Sequence, residues 1–397
     1  MNITIILLYL LSFLLIYQFV GYPTIMAMVV SKLRNRDYSY QPFVSIIVPT
    51  YNEEKVIEKR MENLLDLDYP ENNYEIIVVD SGSIDKTKEI LKKFIEKNNH
   101  FNIGLKLVEE NERKGKASAI NFGKEYANGD IVLITDANSI FNKNVLKEMM
   151  PHFKDPNVGA VGGRYCVSNP ETALGASESF YWYLEFIMRE GEAHLDSACT
   201  FHGEINAWRK DLVRADTKML TEDLDMAVQI KRAGYKVDYE ANALVYEPAA
   251  TTALEQITQR KRTSIGTIQC FFKHLRYFLT PKDLYSLLIF PSHKGLAIFS
   301  PFILVAIPIL YIVTWNIQVI SMHFILNFII FGVLFALLIF LKPKLTKNKT
   351  GKNVFSISSI PKIIFYVLLN EYLILMAWMD FISGRYTVLW KKAESTR

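Results

Sequence analysis

The N-terminal stretch of the chain is apolar and uncharged: its first thirty residues contain no aspartate, glutamate, lysine or arginine. Such a run exceeds the roughly 20 residues that a bilayer span requires and predicts a transmembrane helix. A cleaved signal peptide is the alternative interpretation, but it usually has an apolar core of about 7 to 15 residues, a basic start and a small-residue cleavage site. Because the chain lacks this combination, we expect residues 1–30 to form a retained membrane anchor.

Further apolar segments lie near the C-terminus. Two spans are predicted at 297–315 and 319–341, and another apolar segment covers 360–382. Three charged residues interrupt this last segment, namely Lys362, Glu371 and Asp380. It is therefore either a further span or a re-entrant or interfacial helix. A complete crossing would leave the basic C-terminal tail outside the cell unless another span lies near 284–290.

Residues 42–266 have the polar turns and charged helix faces of a soluble domain. We assign 267–296 to an interfacial segment and 297–384 to a C-terminal transmembrane region. Short basic flanks of membrane spans stay in the cytosol. Such residues follow the anchor and the span at 319–341, namely Lys32, Arg34, Arg36, Lys342, Lys344, Lys347, Lys349 and Lys352. The sequence therefore predicts an integral protein of the cell membrane whose soluble domain faces the cytosol.

Cysteine content and net charge exclude two kinds of function. The three cysteines, Cys166, Cys199 and Cys270, have no metal-ligand spacing, and the cytosol is reducing, so we expect free thiols. The net charge is only +4, and much of it is accounted for by lysines that flank the membrane spans. There is no basic stripe of the kind that binds nucleic acid, so we expect no nucleic-acid partner.

The soluble domain alternates short β-branched runs with helical patterns. The clearest runs are VSIIV at 44–48, EIIVV at 75–79 and DIVLIT at 130–135. Strands separated by helices predict crossover connections and a mostly parallel α/β sheet. In such sheets, ligands bind beyond the carboxyl ends of the strands. The candidate functional residues are therefore the polar residues directly after each run.

Four polar groups follow the predicted strands: PTYNEE at 49–54, DSGSID at 80–85, RKGK at 113–116 and DAN at 136–138. Each has an ordinary structural interpretation. Asn52 and Ser83 can cap helices, Asp85 suits a first helical turn, and Gly115 suits a turn. Together, however, two strand-end acids and a Gly-Lys loop on one sheet edge indicate a pocket for a nucleotide whose diphosphate is neutralised by a metal ion.

The chain resembles the inverting glycosyltransferases of family 2, especially the membrane-bound hyaluronan, chitin and cellulose synthase branch. The resemblance lies in ordered segments: VSIIVPTYNEE, VVDSGSIDKT, GKASAIN, LITDANSIF, HGEINAWRKDL, TEDLDMAVQIKRAGYKVDY and QRKRT. These segments cover about 42–266, and the apolar segments on either side also fit the layout of this branch. The resemblance implies a GT-A fold and a nucleotide-sugar donor, usually a UDP-sugar.

The resemblance also implies roles for the residues of the donor site. Thr50, Tyr51 and Glu53 are expected to line the nucleoside site, Asp80 to hydrogen-bond the uracil ring, and Lys116 to lie near the phosphates.

A divalent metal site is implied by the segment that begins at Asp136. In relatives this motif reads Asp-x-Asp and holds Mg²⁺ or Mn²⁺ on the diphosphate, where the ion stabilises the departing nucleoside diphosphate. Here the third residue is Asn138. Metal affinity is then expected to be lower, or Asp136 to be the sole ligand of the motif.

Two segments are expected to form the acceptor side. From the residues alone, Glu222 and Asp223 are acids in the first turn of a helix. The resemblance implies instead that Asp223 is the general base, which takes a proton from the acceptor hydroxyl during a single in-line displacement. It also implies that Gly203 and Glu204 lie where an acceptor sugar approaches, and a glycine permits close backbone approach.

The segment QRKRT matches all but the last residue of a QxxRW motif of the family. Gln259 and Arg262 lie three apart and share a helix face, so that Arg262 could reach the diphosphate while the remaining cations face lipid head groups. With the match to this motif, we assign Gln259 and Arg260 to the acceptor side. A basic cluster that contacts lipid head groups is the alternative. Thr263 replaces the aromatic residue that contributes to the acceptor platform in polymerising relatives, which favours transfer of a single sugar over processive synthesis.

The leading hypothesis is a membrane-embedded, metal-dependent inverting glycosyltransferase whose acceptor is a lipid-linked glycan, a membrane lipid or a polysaccharide. A processive polysaccharide synthase is the alternative within this class, although its glycan channel would need more helices, which a second protomer could supply. A nucleotide-sugar-binding membrane scaffold without turnover is a second class. A transporter is a third, suggested by Glu371 and Asp380 in an apolar segment, but the predicted spans are too few for it.

Overall fold

The protein is described from a computed structural model, which covers residues 3–30, 36–170, 173–314, 317–345 and 360–389. The chain divides into two units. The sheet unit comprises Leu33–Trp182, Ser197–Gln259 and Tyr386–Arg397. The helical unit comprises Met1–Lys32, Tyr183–Asp196 and Arg260–Arg385. The domain limits at 42–266, 267–296 and 297–384 remain predictions.

The β-branched runs form one eight-stranded sheet within the described part of the sheet unit. Its strands are β1 Val44–Thr50, β2 Tyr74–Asp80, β3 Gly104–Glu109, β4 Ile131–Ile134, β5 Ile140–Phe141, β6 Val158–Val167, β7 Asn206–Arg209 and β8 Lys236–Glu247. Their order across the sheet is β3-β2-β1-β4-β7-β6-β8-β5. The β1–β2, β2–β3, β1–β4 and β6–β8 pairs are parallel, so the predicted mostly parallel α/β sheet is confirmed.

The direction of β7 decides which strand ends meet. Strand β7 is antiparallel to β4 on one side and to β6 on the other, so β6 runs in the same direction as β4. Strand β8 is parallel to β6. The carboxyl ends of β1, β2, β4, β6 and β8 and the amino end of β7 therefore lie along one edge of the sheet, which we call the carboxyl edge.

The helices begin and end as follows: α1 Ile3–Ile16, α2 Tyr22–Val29, α3 Ile57–Leu65, α4 Thr87–Lys97, α5 Lys116–Glu125, α6 Val145–Met149, α7 Ala173–Leu195, α8 Glu222–Arg232, α9 Ala253–Lys273, α10 Leu275–Leu279, α11 Leu296–Thr314, α12 Ile317–Leu345 and α13 Ile360–Ser383. In the sheet unit, β1 and β2 are buried at every residue. This is the pattern of parallel strands that are covered on both faces. The apolar stripe Ile57, Met61 and Leu64 of α3 packs into the same core.

Three helical stretches in the described residues are long and apolar enough to cross a membrane: Ile3–Val29, Tyr285–Thr314 and Phe365–Ser383. The first joins α1 to α2 through a π-helical turn at Tyr17–Gly21 and agrees with the predicted anchor. The second contains the predicted span at 297–315, so the apolar residues near 284–290 begin that helix instead of forming a separate span. The predicted span at 319–341 lies within α12, which includes the shorter apolar stretch Ile320–Val333.

Both acids of the last apolar segment have partners within the helical unit. Glu371 is buried and accepts a hydrogen bond of 2.6 Å from Ser300 Oγ. The Asp380 carboxylate lies 2.6 Å from Lys261 Nζ. These contacts join helices to one another and give the acids a structural role, which removes the observation that suggested a transporter. Several basic residues used to predict orientation lie outside the described residues, namely Lys32, Arg34, Lys347, Lys349 and Lys352.

The cysteines are free thiols, as predicted: Cys199 and Cys270 are buried and Cys166 is half-buried.

Candidate active site

The loops after β1 and β2 hold each other through reciprocal hydrogen bonds. The Asn52 backbone N–H donates to Ser83 Oγ at 2.9 Å, and the Ile84 backbone N–H donates to Asn52 Oδ1 at 2.9 Å. The Glu53 N–H donates to Thr87 Oγ1 at 2.8 Å. Asn52 adopts a φ of 54°, a left-handed conformation that asparagine tolerates better than most residues. We call this pair of loops the nucleoside side of the site.

Asp80 ends β2 and is fully buried on the nucleoside side. Its Oδ2 accepts hydrogen bonds from the backbone N–H groups of Gly82 and Ser83, at 3.1 and 3.0 Å. Among the described residues, its Oδ1 is buried without a hydrogen-bond partner. Because leaving a buried carboxylate oxygen unsatisfied is costly, this atom is well suited to accept a hydrogen bond from a ligand.

The remaining residues predicted to line the nucleoside site lie close to Asp80. Thr50 is the register partner of Asp80 in the β1–β2 pair, and its hydroxyl donates to the Val79 carbonyl at 3.0 Å. The guanidinium of Arg113 lies 4.2 Å from the centre of the Tyr51 ring, within the range of a cation–π contact. Glu53 is buried. The carboxyl edge thus brings these predicted residues together, while their binding roles remain predictions.

Lys116 joins the segments of the opposite part of the site. It begins α5 directly after Gly115, whose φ of 99° is a backbone conformation that favours glycine. Its Nζ lies 2.6 Å from Asp136 Oδ1 and 3.8 Å from Glu222 Oε1, and it donates to the Gly203 carbonyl at 3.0 Å. Burial alone would lower the pKa of Lys116, but the attraction of the surrounding carboxylates outweighs burial and raises that pKa, so the side chain is cationic.

Gly203 presents bare backbone to the predicted base. A Cβ added at Gly203 would lie 2.9 Å from Lys116 Nζ and 3.9 Å from both Asp223 Oδ2 and Glu222 Oε1. Any larger residue would displace the lysine. Asp223 lies in the first turn of α8, where its Oδ1 accepts a hydrogen bond of 2.9 Å from the Leu224 N–H. The structure therefore brings Gly203, Glu222 and Asp223 together, as the sequence predicts.

Asp136, Glu204 and Glu247 converge at the carboxyl edge. Each offers one carboxylate oxygen, and these oxygens lie within 4.8 Å of one another. The Glu247 carboxylate also accepts a short hydrogen bond from Ser139 Oγ. We call the groups around this cluster, including Lys116, Gly203, Glu222 and Asp223, the transfer side of the site.

The crowding of carboxylates perturbs their protonation. Burial raises the pKa of Glu204 to about 7, and neighbouring Asp136 adds to the rise while Lys116 opposes it. Burial, followed by the charges of Glu204 and Asp136, raises the pKa of Glu247 to about 8. These acids would release their protons as a cation binds among them, since a bound cation favours the ionised carboxylate.

Glu247 was not predicted as a site residue, although its sequence context carries a signal. Glu247 is an acid at the end of the strand-like run ALVYE and stands directly before Pro248. The rule that identified Asp80 and Asp136 as strand-end acids applies equally to it. The Asn138 side chain is half-buried, and its predicted role as a metal ligand remains a prediction.

Arg60 was also missed. It is fully buried on α3, donates to Thr135 Oγ1 at 2.5 Å and to Asn63 Oδ1 at 2.6 Å, and lies 4.1 Å from the centre of the Phe141 ring. Burial lowers the pKa of Arg60, and the charges of Glu247 and Asp136 oppose that change. Arg60 therefore places a positive charge within the electrostatic reach of the carboxylate cluster.

The QRKRT segment divides between the two units. Gln259 is the last residue of its part of the sheet unit and is exposed. Arg260 and Arg262 belong to the helical unit, where Arg260 donates a hydrogen bond of 2.6 Å to the Tyr366 hydroxyl. The predicted contact of Arg262 with the diphosphate and the acceptor-side roles of Gln259 and Arg260 remain predictions.

Two family models match the chain. The one described as "Glycosyl transferase family 2" matches residues 45–214, and the one described as "Glycosyl transferase family group 2" matches residues 131–378. The first ends within the sheet unit shortly after β7, and the second continues from β4 into α13.

Similar curated proteins include two bacterial proteins. The poly-beta-1,6-N-acetyl-D-glucosamine synthase of Staphylococcus aureus (strain COL) is 30% identical over 229 residues, which are 56% of this chain and 54% of that protein. The probable glycosyltransferase YdaM of Bacillus subtilis (strain 168) is 28% identical over 252 residues, which are 61% of this chain and 59% of that protein. The matches thus span less than two thirds of each relative.

A solved structure with a similar fold is the mannosyltransferase PcManGT from Pyrobaculum calidifontis in complex with GDP-Man and Mn²⁺. Its TM-score is 0.69 at 24% sequence identity, and the match covers 96% of this chain and 100% of that chain. At this identity the likeness concerns the fold alone. Together with the sheet described above, it confirms the predicted GT-A fold.

Proposed function

Because the chain belongs to glycosyl transferase family group 2 and is a glycosyltransferase, we propose that it transfers a sugar from a nucleotide-sugar donor with inversion at the anomeric carbon. The observation that carries this proposal is the convergence of Lys116, Asp136, Gly203 and Asp223, which come from four separate segments, at one corner of the carboxyl edge. A non-catalytic scaffold, the second class considered from the sequence, does not fit membership of an enzyme family.

The donor set at the transfer side fits a hard divalent cation. Asp136, Glu204 and Glu247 offer carboxylate oxygens within 4.8 Å of one another, and oxygen ligands are those that Mg²⁺ and Mn²⁺ prefer. These residues would hold the ion, with Asn138 as a further candidate. When bound, Mg²⁺ or Mn²⁺ would supply Lewis-acid stabilisation of the negative charge on the diphosphate.

The transfer step requires a base beside the acceptor hydroxyl, and Asp223 is our candidate. Its carboxylate takes the hydroxyl proton as the acceptor oxygen forms a bond to the anomeric carbon. The bond from that carbon to the diphosphate oxygen breaks on the opposite face, and the diphosphate leaves with the electron pair. The cationic Lys116 stabilises the growing negative charge because it is fixed in place before the reaction.

Asp80 supports a uridine donor. Its Oδ1 is one buried acceptor, flanked by an Oδ2 that two backbone N–H groups already occupy. The uracil ring presents one N–H donor between two carbonyl groups, which matches one acceptor, whereas guanine presents two adjacent donors. We therefore expect a UDP-sugar to be preferred over a GDP-sugar.

The acceptor is a lipid-linked glycan, a membrane lipid or a polysaccharide end. A processive polysaccharide synthase is the second candidate, favoured by the 30% identity to the poly-beta-1,6-N-acetyl-D-glucosamine synthase. Product length discriminates between the two: a ladder of sugars indicates a polymerase, and one added sugar indicates single transfer.

We propose that the protein is integral to the cell membrane with its sheet unit in the cytosol. The three helical stretches that can cross a membrane support the membrane location, and the basic flanks support the orientation. Cysteine labelling of intact cells with a membrane-impermeant reagent tests it: a cysteine placed at exposed Lys93 should stay unlabelled until the cells are opened.

The decisive test is a donor panel with purified protein in bilayer nanodiscs. UDP-N-acetylglucosamine, UDP-glucose and GDP-mannose are each offered with Mn²⁺ or Mg²⁺, and released nucleoside diphosphate and glycosylated product are measured. We expect turnover of a UDP-sugar that chelator abolishes. Full activity in the presence of chelator would show that transfer does not require a metal ion. Turnover of GDP-mannose alone would show that the protein does not prefer a uridine donor.

A further inference from the structure

Three aromatic rings form a cluster that the proposed transfer chemistry does not use. The ring of Trp182 lies 4.7 Å from that of His202 and 4.8 Å from that of Tyr165, and Tyr165 lies 5.5 Å from His202, all measured between ring centres. His202 is buried, whereas Tyr165 and Trp182 are only half-buried. We call these three residues the aromatic cluster.

The aromatic cluster adjoins the transfer side through the chain itself. His202 immediately precedes Gly203 and Glu204, and its Nδ1 lies 3.9 Å from Glu204 Oε2. Gly203 has no side chain, and a Cβ added to it would lie 3.9 Å from Asp223 Oδ2. His202, the buried member of the aromatic cluster, is therefore one residue away from the backbone that faces the proposed base, and the half-buried rings of Tyr165 and Trp182 lie against it.

The sheet order separates the aromatic cluster from the nucleoside side. Asp80 ends β2, which lies two strands from β4, and Tyr165 lies near the end of β6, two strands from β4 in the opposite direction. Because neighbouring strands are about 4.8 Å apart, β2 and β6 each lie roughly 10 Å from β4 across the sheet. A donor that extends from Asp80 to Asp136 thus directs its sugar toward the strands that carry the aromatic cluster.

Tyr165 and Glu247 also share a face of the sheet. Tyr165 pairs with Val245, and Val167 pairs with Glu247, in the parallel β6–β8 ladder. Residues two apart on a strand point to the same face, as do register partners on neighbouring strands. Tyr165 therefore lies on the same face as the carboxylate cluster and one repeat away from it along the strand.

We propose that Tyr165 and Trp182 form a binding subsite for the terminal sugar ring of a saccharide acceptor. The inference rests on the proposed function. A pyranose has an apolar face of C–H groups that packs against aromatic rings and an edge of hydroxyl groups that donate to carboxylates. The aromatic cluster and Glu204 supply these two kinds of surface side by side. The acids of the transfer side repel a bare phosphate acceptor, which favours a neutral sugar hydroxyl as the nucleophile.

The test compares Trp182→Ala with wild type in nanodiscs, using the active donor from the panel. Two acceptor probes are offered separately: a β-1,6-linked N-acetylglucosamine pentasaccharide and undecaprenyl phosphate. We expect transfer to the pentasaccharide, an acceptor KM raised about tenfold in Trp182→Ala, and a donor KM within twofold of wild type. Trp182→Phe, which keeps a ring, should recover most of the acceptor affinity.

A matched control is Tyr126→Ala, which removes an exposed aromatic ring at the end of α5 and should leave both KM values unchanged. Donor binding and the thermal unfolding midpoint report whether Trp182→Ala is folded. If that variant is unstable, Tyr165→Ala provides the same test from the other ring.

Two results would overturn the inference while leaving the glycosyltransferase intact: transfer to undecaprenyl phosphate alone, or an unchanged pentasaccharide KM in folded Trp182→Ala and Tyr165→Ala. A wild-type protein that releases no nucleoside diphosphate from any donor would instead overturn the proposed function itself.

Discussion

On the nucleoside side, side chains pair with backbone N–H groups. Asn52 Oδ1 accepts from the Ile84 N–H and Thr87 Oγ1 accepts from the Glu53 N–H, and these two bonds join the loops. Asp80 Oδ2 accepts from the N–H groups of Gly82 and Ser83 in its own loop. On the transfer side, at the same edge of the same sheet, carboxylates face carboxylates. There Asp136, Glu204 and Glu247 approach one another, and Lys116 offsets only part of their charge.

The difference shows how the two halves of one site can depend on different conditions. The hydrogen bonds that join the two loops form without a ligand, while Asp80 Oδ1 is left to accept from one, so the nucleoside side is organised before the donor arrives. The transfer side gathers acids, and burial, followed by repulsion among these acids, raises the pKa values of Glu204 and Glu247. It should therefore respond to pH and to divalent cations, while the nucleoside side should respond to neither.

The largest expected effect concerns the base. Asp223→Asn keeps the shape of the side chain and its acceptor oxygen for the Leu224 N–H, but removes the group that takes the proton. We expect kcat for transfer to fall by about 10³-fold, within the range for loss of a general base, with an unchanged affinity for UDP. Single-turnover kinetics and UDP titration measure these two quantities. Near-normal transfer would show that the base is another residue.

The next effect separates metal binding from nucleoside binding. Glu247→Gln removes one anionic ligand from the carboxylate cluster, and we expect Mn²⁺ affinity to fall on the order of 10- to 100-fold. Affinity for uridine, which reaches only the nucleoside side, should stay within twofold. Isothermal titration measures both. Glu109→Gln is the matched control, because Glu109 ends β3 at the same edge and is exposed; a comparable loss of Mn²⁺ affinity there would argue for a general charge effect.

Asp80→Asn is the reciprocal experiment on the nucleoside side. The amide oxygen can still accept from the Gly82 and Ser83 N–H groups, but the buried acceptor that faces away from them becomes an N–H donor. We expect uridine affinity to fall about 10- to 100-fold, the value of one hydrogen bond to a charged group, and Mn²⁺ affinity to stay unchanged. If Mn²⁺ affinity falls equally, the two sides are coupled and do not depend on different conditions.

Much of this site could be predicted from the sequence, because a parallel sheet brings strand ends together whatever the details. Asp80 and Asp136 follow β-branched runs and lie along the carboxyl edge as expected, and Lys116 contacts Asp136. The reversed direction of β7 could not be predicted, and it is this strand that brings Gly203 and Glu204 to the carboxyl edge. Strand polarity depends on pairing between distant segments, which has no local sequence signal.

The surroundings of Arg60, His293 and Lys294 could not be predicted from the sequence for a different reason. Arg60 resembles an exposed helix charge, yet it occupies the i+3 position after Ile57 on the buried stripe of α3, where Thr135 and Asn63 bind it. The predicted span starts at 297, whereas the helical stretch begins at Tyr285 and includes His293 and Lys294. In the helical unit these two residues contact Glu192 and Glu185, at 2.7 and 2.8 Å. In α3 and in the stretch that begins at Tyr285, partners distant in sequence compensate charged residues that the local sequence alone would predict to be exposed.

A smaller effect concerns pH and stability in chelator. The folded-state pKa values of Glu204 and Glu247 are raised to about 7 and about 8, above the roughly 4.3 of an unfolded glutamate. The folded state thus binds more protons than the unfolded state between these values. Unfolding free energy should therefore fall as pH rises from about 5 to 8.

Thermal unfolding across that pH range measures the fall. Mn²⁺ should reverse it, with a stabilisation that grows as pH rises, because protons and the ion compete for the same carboxylates. Glu247→Gln should flatten the profile. A wild-type profile that rises with pH in chelator would contradict the raised pKa values.

The smallest effect tests whether the nucleoside side is indifferent to pH. Asn52→Ala removes the acceptor for the Ile84 N–H and places alanine at a φ of 54°. We expect a loss of about 1–2 kcal/mol in unfolding free energy, from the left-handed conformation and the lost hydrogen bond. Asn52→Gly should lose less, because glycine adopts this φ freely. Asn98→Ala, at an asparagine that also bonds the backbone but has a φ of −108°, is the control for amide removal alone.

Denaturant unfolding at pH 5.5 and at pH 8 measures the loss of unfolding free energy from Asn52→Ala, which should be the same at both pH values. A loss that changes with pH would mean that the carboxylates of the transfer side act through these loops, and the two sides would then form one electrostatic unit.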